Sequence, residues 1–246
     1  MISVCIATYN GEKYIKEELE SILPQLADDD EVIISDDGSK DKTLSIIEGL
    51  NDKRIKIFTH QKQPAKFRFD YTTHNFENAL LNSKGDVIFF ADQDDVWLPN
   101  KCRVMMEALD TADIAISNCS VVDENLNELK LLFDGKEKRT CRILPNLINP
   151  NNTGCCMAFK RNVLNTVLPF PKYGVAQDVW VAVFGGIYHK LTYIDTPLIL
   201  FRRHGNNVST SAGKSKDSLI YKIGYRWNTL CTLIKRAGFF KVLINL

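Results

Sequence analysis

The sequence has no glycine-rich phosphate loop. Its first strand-like run ends in Ala7-Thr8-Tyr9-Asn10-Gly11, with a single glycine, which excludes both the dinucleotide fingerprint and the P-loop. A diphosphate bound here must be held by something other than a nest of backbone amides. The 7 cysteines are an odd number without any C-x-x-C pair, and most lie among apolar residues. They read as reduced core thiols of a cytosolic protein, not as a disulfide or zinc framework. No stretch reaches the roughly 18 uninterrupted apolar residues of a membrane span. After Met1 the chain enters a strand-like run at once, with no basic segment leading into an apolar one, so export is not expected. The net charge is only +1, from 31 basic and 30 acidic residues in 246, which gives no electrostatic reason to expect nucleic acid.

What is present is the balance of a folded protein, with 45% hydrophobic and 25% charged residues. The charge is unevenly spread. Residues 214–246 carry seven bases against the single acid Asp217, whereas residues 1–213 carry 24 bases and 29 acids. Short β-branched runs alternate with helical periods over the first 95 residues, the pattern of βα units around a largely parallel sheet. Strands are expected at Ile2–Ala7, Glu31–Ser35, Arg54–Thr59 and Asp86–Ala91, with helices at Gly11–Leu23 and Lys40–Leu50. Residues 60–73 have no period and read as a long loop before a short helix at Phe76–Leu81. Pro99 opens another helix. Further on, Asp113–Ser117 and Cys155–Lys160 read as strands, Asp178–Tyr188 as a helix and Leu191–Arg202 as a hairpin. Residues 1–213 therefore form one α/β domain in two lobes, followed by a basic amphipathic helical tail, 214–246.

The acids sit where such a sheet binds ligands. Asp36-Asp37-Gly38-Ser39 follows the second strand and Asp92-Gln93-Asp94-Asp95 follows the fourth, and the carboxyl ends of strands line the crevice of an open α/β sheet. Clustered carboxylates repel one another and lose hydration when buried. A divalent cation with a taste for hard oxygen, Mg²⁺ or Mn²⁺, relieves that cost. The first cluster also reads as an ordinary turn with a helix cap. The second does not fit an EF-hand, since Val96 takes a ligand position and no glycine follows it.

Together with Asn152-Thr153-Gly154-Cys155-Cys156-Met157 and Phe201-Arg202-Arg203-His204-Gly205-Asn206-Asn207-Val208-Ser209, these segments resemble glycosyltransferase family 2, and within it the bacterial rhamnosyltransferase-like members. The resemblance spans about residues 1–210. It implies a GT-A fold, in which a Rossmann-like nucleotide-binding half and an acceptor-binding half share one continuous mixed sheet, and an inverting transfer from a nucleoside-diphosphate sugar. By the same resemblance Thr8, Asn10 and Glu12 line the nucleotide site and Asp37 bonds the base. Asp94 touches ribose or metal, and Asp95 ligates the metal that bridges the diphosphate. Which of the carboxylates at 92–95 meets the metal directly stays open. Tyr9, Asp36, Asp92 and Arg203 join the donor side.

Inversion needs a base that takes the proton of the attacking hydroxyl. Asp178 in Ala176-Gln177-Asp178-Val179-Trp180 lies where the family carries an acidic pair before a helix. Gln177 replaces the first acid, so only Asp178 is left as base, with a helix N-cap as its plainer reading. Asn152, Gly154, Gln177 and Trp180 are candidates for the acceptor side, Trp180 as a stacking face for a sugar. Trp97 reads as core support. His204 is a candidate metal ligand in the loop that the resemblance places over the donor. The segment 219–246 interleaves aromatic and aliphatic residues with Lys and Arg and no acid. It reads as an amphipathic surface for an anionic membrane, with packing on the acidic body or a homodimer contact as rivals. The expectation is a metal-dependent transferase acting on a glycan or lipid-linked glycan acceptor in surface-polysaccharide synthesis, peripheral at the inner face of the membrane. The thymidine-diphosphate form of rhamnose and a UDP-hexose are rival donors, and a non-catalytic sugar-binding subunit is the rival of another class.

Overall fold

The computed structural model describes residues 1–135, 139–148, 152–205 and 217–246. Three βα steps and a fourth strand build the first half: β1 (Ile2–Thr8), α1 (Ile15–Ile22), β2 (Glu31–Asp36), α2 (Thr43–Gly49), β3 (Ile55–Thr59), α3 (Phe69–Asn82) and β4 (Val87–Ala91). β1 pairs in parallel with β2 and β4, and β2 with β3. β2 and β4 are buried along their whole length, as expected of parallel strands covered on both faces. The chain steps outward from β1 to β3 and then returns to the other side of β1, so the reversal falls beside the carboxyl ends of β1 and β4. That is where an open sheet leaves a crevice.

The second half extends the same sheet. It contains β5 (Val96–Trp97), α4 (Lys101–Leu109), β6 (Ile114–Val122), β7 (Glu128–Leu131), α5 (Ile143–Ile148), β8 (Met157–Lys160), α6 (Leu164–Val167), α7 (Gln177–Trp180) and β9 (Leu191–Arg202). The strand order is β3-β2-β1-β4-β8-β6-β9-β5, with β7 on β6. β8 is antiparallel to both β4 and β6, which joins the two halves into one mixed sheet.

Several elements depart from the sequence reading for identifiable reasons. Residues 191–202 are one strand, not a hairpin. β9 runs parallel to β6 with register irregularities around Asn118, opposite Pro197, and those absorb the proline that suggested a turn. Helix α3 begins at Phe69 inside the expected loop. Its buried face is polar and therefore hides the apolar period: Asp70 accepts from the Gly174 amide (2.7 Å), His74 Nε2 pairs with Lys172 O (2.9 Å) and Thr73 donates to Val175 O (3.1 Å). The expected helix from Asp178 to Tyr188 is a single α-turn, α7, that widens into a π-helix at Val181–Gly185.

The tail forms α8 (Leu219–Ala237) and α9 (Phe239–Ile244), divided at Gly238, whose φ of 84° only glycine adopts cheaply. The expected boundary at 213/214 lies outside the described residues. One face of the tail packs on the body. Thr229, Leu233 and Val242 are buried, Arg236 donates to Pro169 O, and Asn245 O accepts from the Ile143 amide. Phe67, Phe69, Tyr221 and Tyr225 form an aromatic cluster that ties α8 to the start of α3.

Candidate active site

A cavity of about 630 Å³ opens at the carboxyl ends of β1 and β4. Asp37, Asp92, Asp94 and Asp178 all line it, so the acids after β2 and β4 and the acid at α7 share one space. The floor at the β1 end is the loop Thr8–Gly11. Asn10 takes a left-handed φ of 51°, a conformation asparagine tolerates. Its side chain accepts from the Lys40 amide (2.8 Å) and its own amide donates to Ser39 Oγ (2.9 Å). Tyr9, 45% exposed, presents its ring to the cavity with Lys62 Nζ 3.1 Å from the ring centroid. Gln93 clasps the backbone of Tyr9 through both amide atoms.

Not every donor-side candidate reaches the cavity. Asp36 is buried and spent on the turn: it accepts from the Gly38 and Ser39 amides, from Ser39 Oγ and from Thr8 Oγ1. The cap-and-turn reading holds for it, while its neighbour Asp37 faces the cavity. Glu12 accepts from the Lys42 amide (2.9 Å) and braces the start of α2, outside the cavity lining. Arg203 also lies off the lining, with its backbone amide on Val122 O (2.9 Å). Arg202 is 2% exposed and acts as a strap, bonding Asp94 O, Glu124 O and the Glu17 carboxylate.

The cluster at 92–95 divides into two sets. Ligand atoms of Asp92, Asp95 and Cys155 lie within 4.8 Å of one another. Asp95 is fully buried, its Oδ1 accepting from the Arg202 amide (2.9 Å) while Oδ2 has no partner among the described residues. Asp94 Oδ2 meets His204 Nε2 at 2.7 Å, and the His204 ring packs against Tyr14 at 5.0 Å. Asp94 and His204, both candidate metal ligands, thus stand together, whereas the neighbours of Asp95 are Asp92, one of the carboxylates left open as a direct ligand, and Cys155, which no acidic motif marks. Burial pushes the Asp92 carboxyl up to about 7, with Asp94 and then Asp178 adding repulsion, and burial holds Asp95 well above its usual range. Carboxylates this crowded, one with a buried oxygen left unsatisfied, suit a small divalent cation with hard-oxygen preference. The carboxylates of this set fit Mg²⁺ or Mn²⁺, while the Cys155 thiol is a soft donor that neither ion prefers.

Asp178 sits at the first turn of α7. Its Oδ1 accepts from the Val179 amide (2.7 Å), and the Gly154 amide also bonds the carboxylate. Burial raises it to about 6 against these bonds. Gln177 Oε1 accepts from Thr73 (3.2 Å), and Asn152 donates to Asn146 Oδ1 (2.7 Å) and accepts from Tyr193 (3.1 Å). Trp180 is not an acceptor face. It is 1% exposed, stacked on Phe184 at 4.3 Å and bonded to Val167 O, because the turn of α7 aims it inward. Trp97 is buried in the core, as expected.

Other residues of the site carry no motif. His60 Nδ1 meets Asp37 Oδ1 at 2.5 Å, which opposes the upward push of burial on that acid. Asn75 donates to Thr8 O (3.2 Å). Phe69, Tyr225, Arg226 and Thr229 close the far end, and three of these come from α8. Polar residues in α3 and basic ones in a tail look like solvated faces until the fold brings them together.

The model of glycosyl transferase family 2 matches residues 3–168. The chain belongs to this family. Among its relatives, a dTDP-rhamnosyl transferase, RfbG, of Shigella flexneri is 29% identical over 216 residues, covering 82% of this chain and 72% of the relative. A GalNAc(5)-diNAcBac-PP-undecaprenol beta-1,3-glucosyltransferase of Campylobacter jejuni is 26% identical, covering 91% and 71%. The fold is GT-A, as in residues 1–349 of S. aureus TarS in complex with UDP-GlcNAc, with a TM-score of 0.64, 19% identity, and coverage of 93% of this chain but 66% of that one. Glucosyl-3-phosphoglycerate synthase from Mycobacterium tuberculosis, crystallised with Mn²⁺ and UDP, superposes with a TM-score of 0.57 and 19% identity, covering 97% and 80%. Among the described residues no helix is long and apolar enough to cross a membrane.

Proposed function

We propose that the chain transfers a sugar from a nucleoside-diphosphate sugar to a hydroxyl of a glycan or lipid-linked glycan, with inversion at the anomeric carbon. The observation that carries this reading is the shared cavity: Asp178 and the acids after β4 line one space, close enough for the charge of Asp178 to bear on Asp92. The names of the two relatives supply both rival donors, dTDP-rhamnose and a UDP-hexose, and one supplies a diphosphate-linked lipid acceptor.

Asp92, Asp94 and Asp95, with His204 beside them, would hold Mg²⁺ or Mn²⁺. When bound, such an ion offsets the charge that gathers on the departing diphosphate. Tyr9, Asn10 and Asp37 orient the nucleoside at the β1 and β2 end. Asp178 accepts the proton of the acceptor hydroxyl as that oxygen attacks the anomeric carbon, and a carboxyl near 6 is ionised at neutral pH yet basic enough to take it. The rival reading, a sugar-binding subunit without catalysis, predicts no release of nucleoside diphosphate.

The outward face of the tail supports a second contact. Ile220, Trp227 and Phe240 are 83%, 66% and 79% exposed beside Lys222 and Lys241, the mixture that lies at an anionic membrane surface. The working site is then the inner face of the membrane.

The test is a panel of nucleotide sugars with and without Mn²⁺, read by thermal shift and by release of nucleoside diphosphate. One donor should raise the melting temperature only with the metal and release its diphosphate faster with a glycan acceptor. No metal-dependent shift with any donor would overturn the reading.

A further inference from the structure

The far end of the cavity holds a positive charge that its own walls leave uncommitted. Of the basic side chains lining the cavity, Lys13 is paired with Glu124 at 2.6 Å and Arg68 with Asp217 at 3.1 Å. Arg226, on α8, has no carboxylate partner among the described residues. One bond fixes its guanidinium, Nη2 donating to Ile148 O at 2.6 Å where α5 ends. Its Nε–H is buried with no acceptor among the described residues. A buried guanidinium N–H without an acceptor is costly and uncommon, and an oxyanion is the ligand that guanidinium geometry fits.

The surroundings match a glycan carrying that anion. Tyr225 and Phe69 meet edge to face at 5.5 Å in the same wall and offer apolar surface to a sugar ring, while Asn152 supplies an amide. The same cavity is lined by Asp37, Asp92 and Asp94 from the carboxyl ends of β2 and β4, while α8 brings Arg226 to it, so the strand ends contribute negative charge and α8 contributes positive charge. An anionic acceptor is drawn to α8 and repelled by the strand ends. Trp227, next in the chain to Arg226, is 66% exposed on the outer surface of the same helix, which places an apolar surface next to this charge.

We infer that Arg226 is the anion-binding residue of the acceptor subsite and that the acceptor carries a phosphate ester adjoining the sugar that receives the transfer; this rests on the sugar-transfer reading above. The phosphate of a lipid-linked glycan and that of a water-soluble sugar phosphate share the required chemistry.

The experiment uses the full chain saturated with Mn²⁺ and whichever of UDP and dTDP it binds more tightly, so that the donor end is filled, and measures binding calorimetrically. The probes are a short-chain alkyl diphosphate-linked N-acetylglucosamine, N-acetylglucosamine 1-phosphate and the neutral alkyl N-acetylglucosaminide. At least one phosphate-bearing probe should bind about tenfold more tightly than the neutral one. In Arg226→Gln that preference should fall below about twofold, and Arg226→Lys should recover part of it. Affinity for the same nucleotide in the presence of Mn²⁺, measured in each variant, reports that the fold and the donor end are intact. Tighter binding of the alkyl diphosphate assigns the phosphate to a lipid carrier, and equal binding of the two phosphates assigns it to a soluble acceptor. Absence of phosphate-dependent binding by the wild type, or its persistence in Arg226→Gln, overturns the inference. Failure of the wild type to bind either UDP or dTDP with Mn²⁺ overturns the sugar-transfer reading beneath it.

Discussion

Most of the donor wall of the cavity comes from consecutive βα units within residues 1–95, with His204 added from after β9, whereas the acceptor wall gathers α3, Asn146 and Leu147 of α5, residues 152–154, α7 and α8 from across the chain. The first is an outcome of connectivity. In a parallel sheet each strand delivers its last residues to the same edge, so Asp37 and Asp92 converge without any long-range contact to steer them. The second depends on packing, on polar contacts such as that between Thr73 and Gln177, and on an aromatic cluster that fixes α8. A donor end set by the sheet should tolerate changes in the tail, and an acceptor end set by packing should not.

Asp178 stands where the two walls meet, so its loss has the largest expected effect. Asp178→Asn should lower transfer by about 10²- to 10⁴-fold while metal-dependent nucleotide binding persists. With the carboxyl raised to about 6, the base is ionised above that pH, so kcat/KM should rise through pH 6 and then level off, and it should be lost as pH falls. Kinetics of the variant together with a pH profile of the wild type check both. A profile flat from pH 5 to 8, or turnover unchanged in the variant, removes Asp178 as base.

A smaller effect separates the walls directly. Tyr225→Ala deletes the ring that α8 contributes to the acceptor end, together with its contact to Phe69. The Michaelis constant for the acceptor should rise about tenfold, the size expected for losing one aromatic contact to a sugar, with nucleotide affinity unchanged. If nucleotide affinity weakens as much as acceptor affinity, the two ends are one coupled unit and the contrast between them fails.

The same contrast governs what could be read from the sequence. β1 to β4 announced themselves by apolar runs, and the acids after β2 and β4 followed from strand ends alone. Asp36 shows the limit of that reading, because adjacent acids share a motif but only the local turn decides which faces the ligand, and Glu12 is drawn off to the Lys42 amide at the start of α2. Asp36 caps the turn and Asp37 faces the cavity. Trp180 failed for a related reason: sequence placed it beside the base, but a helical step carried it into the core. Helix α3 was half missed because its buried face is polar. His60, Cys155, Asn75 and Arg226 were missed altogether, as each owes its place to a contact between segments far apart in the chain.

The outer face of the tail gives the smallest and most separable effect. Trp227 and Phe240 are 66% and 79% exposed, so Trp227→Ser with Phe240→Ser removes no core packing and should leave the melting temperature nearly unchanged. If the exposed row lies on lipid, the double variant should partition onto anionic phosphatidylglycerol vesicles about three- to tenfold less than the wild type in a sedimentation assay, because apolar burial and attraction between Lys and lipid act together there. Neutral vesicles should bind both forms weakly, since the basic residues then have nothing to neutralise. Equal partitioning of the two forms would show that the row covers no membrane. The tail would then serve only as the acceptor wall, and the contrast between the two ends would have to rest on packing alone.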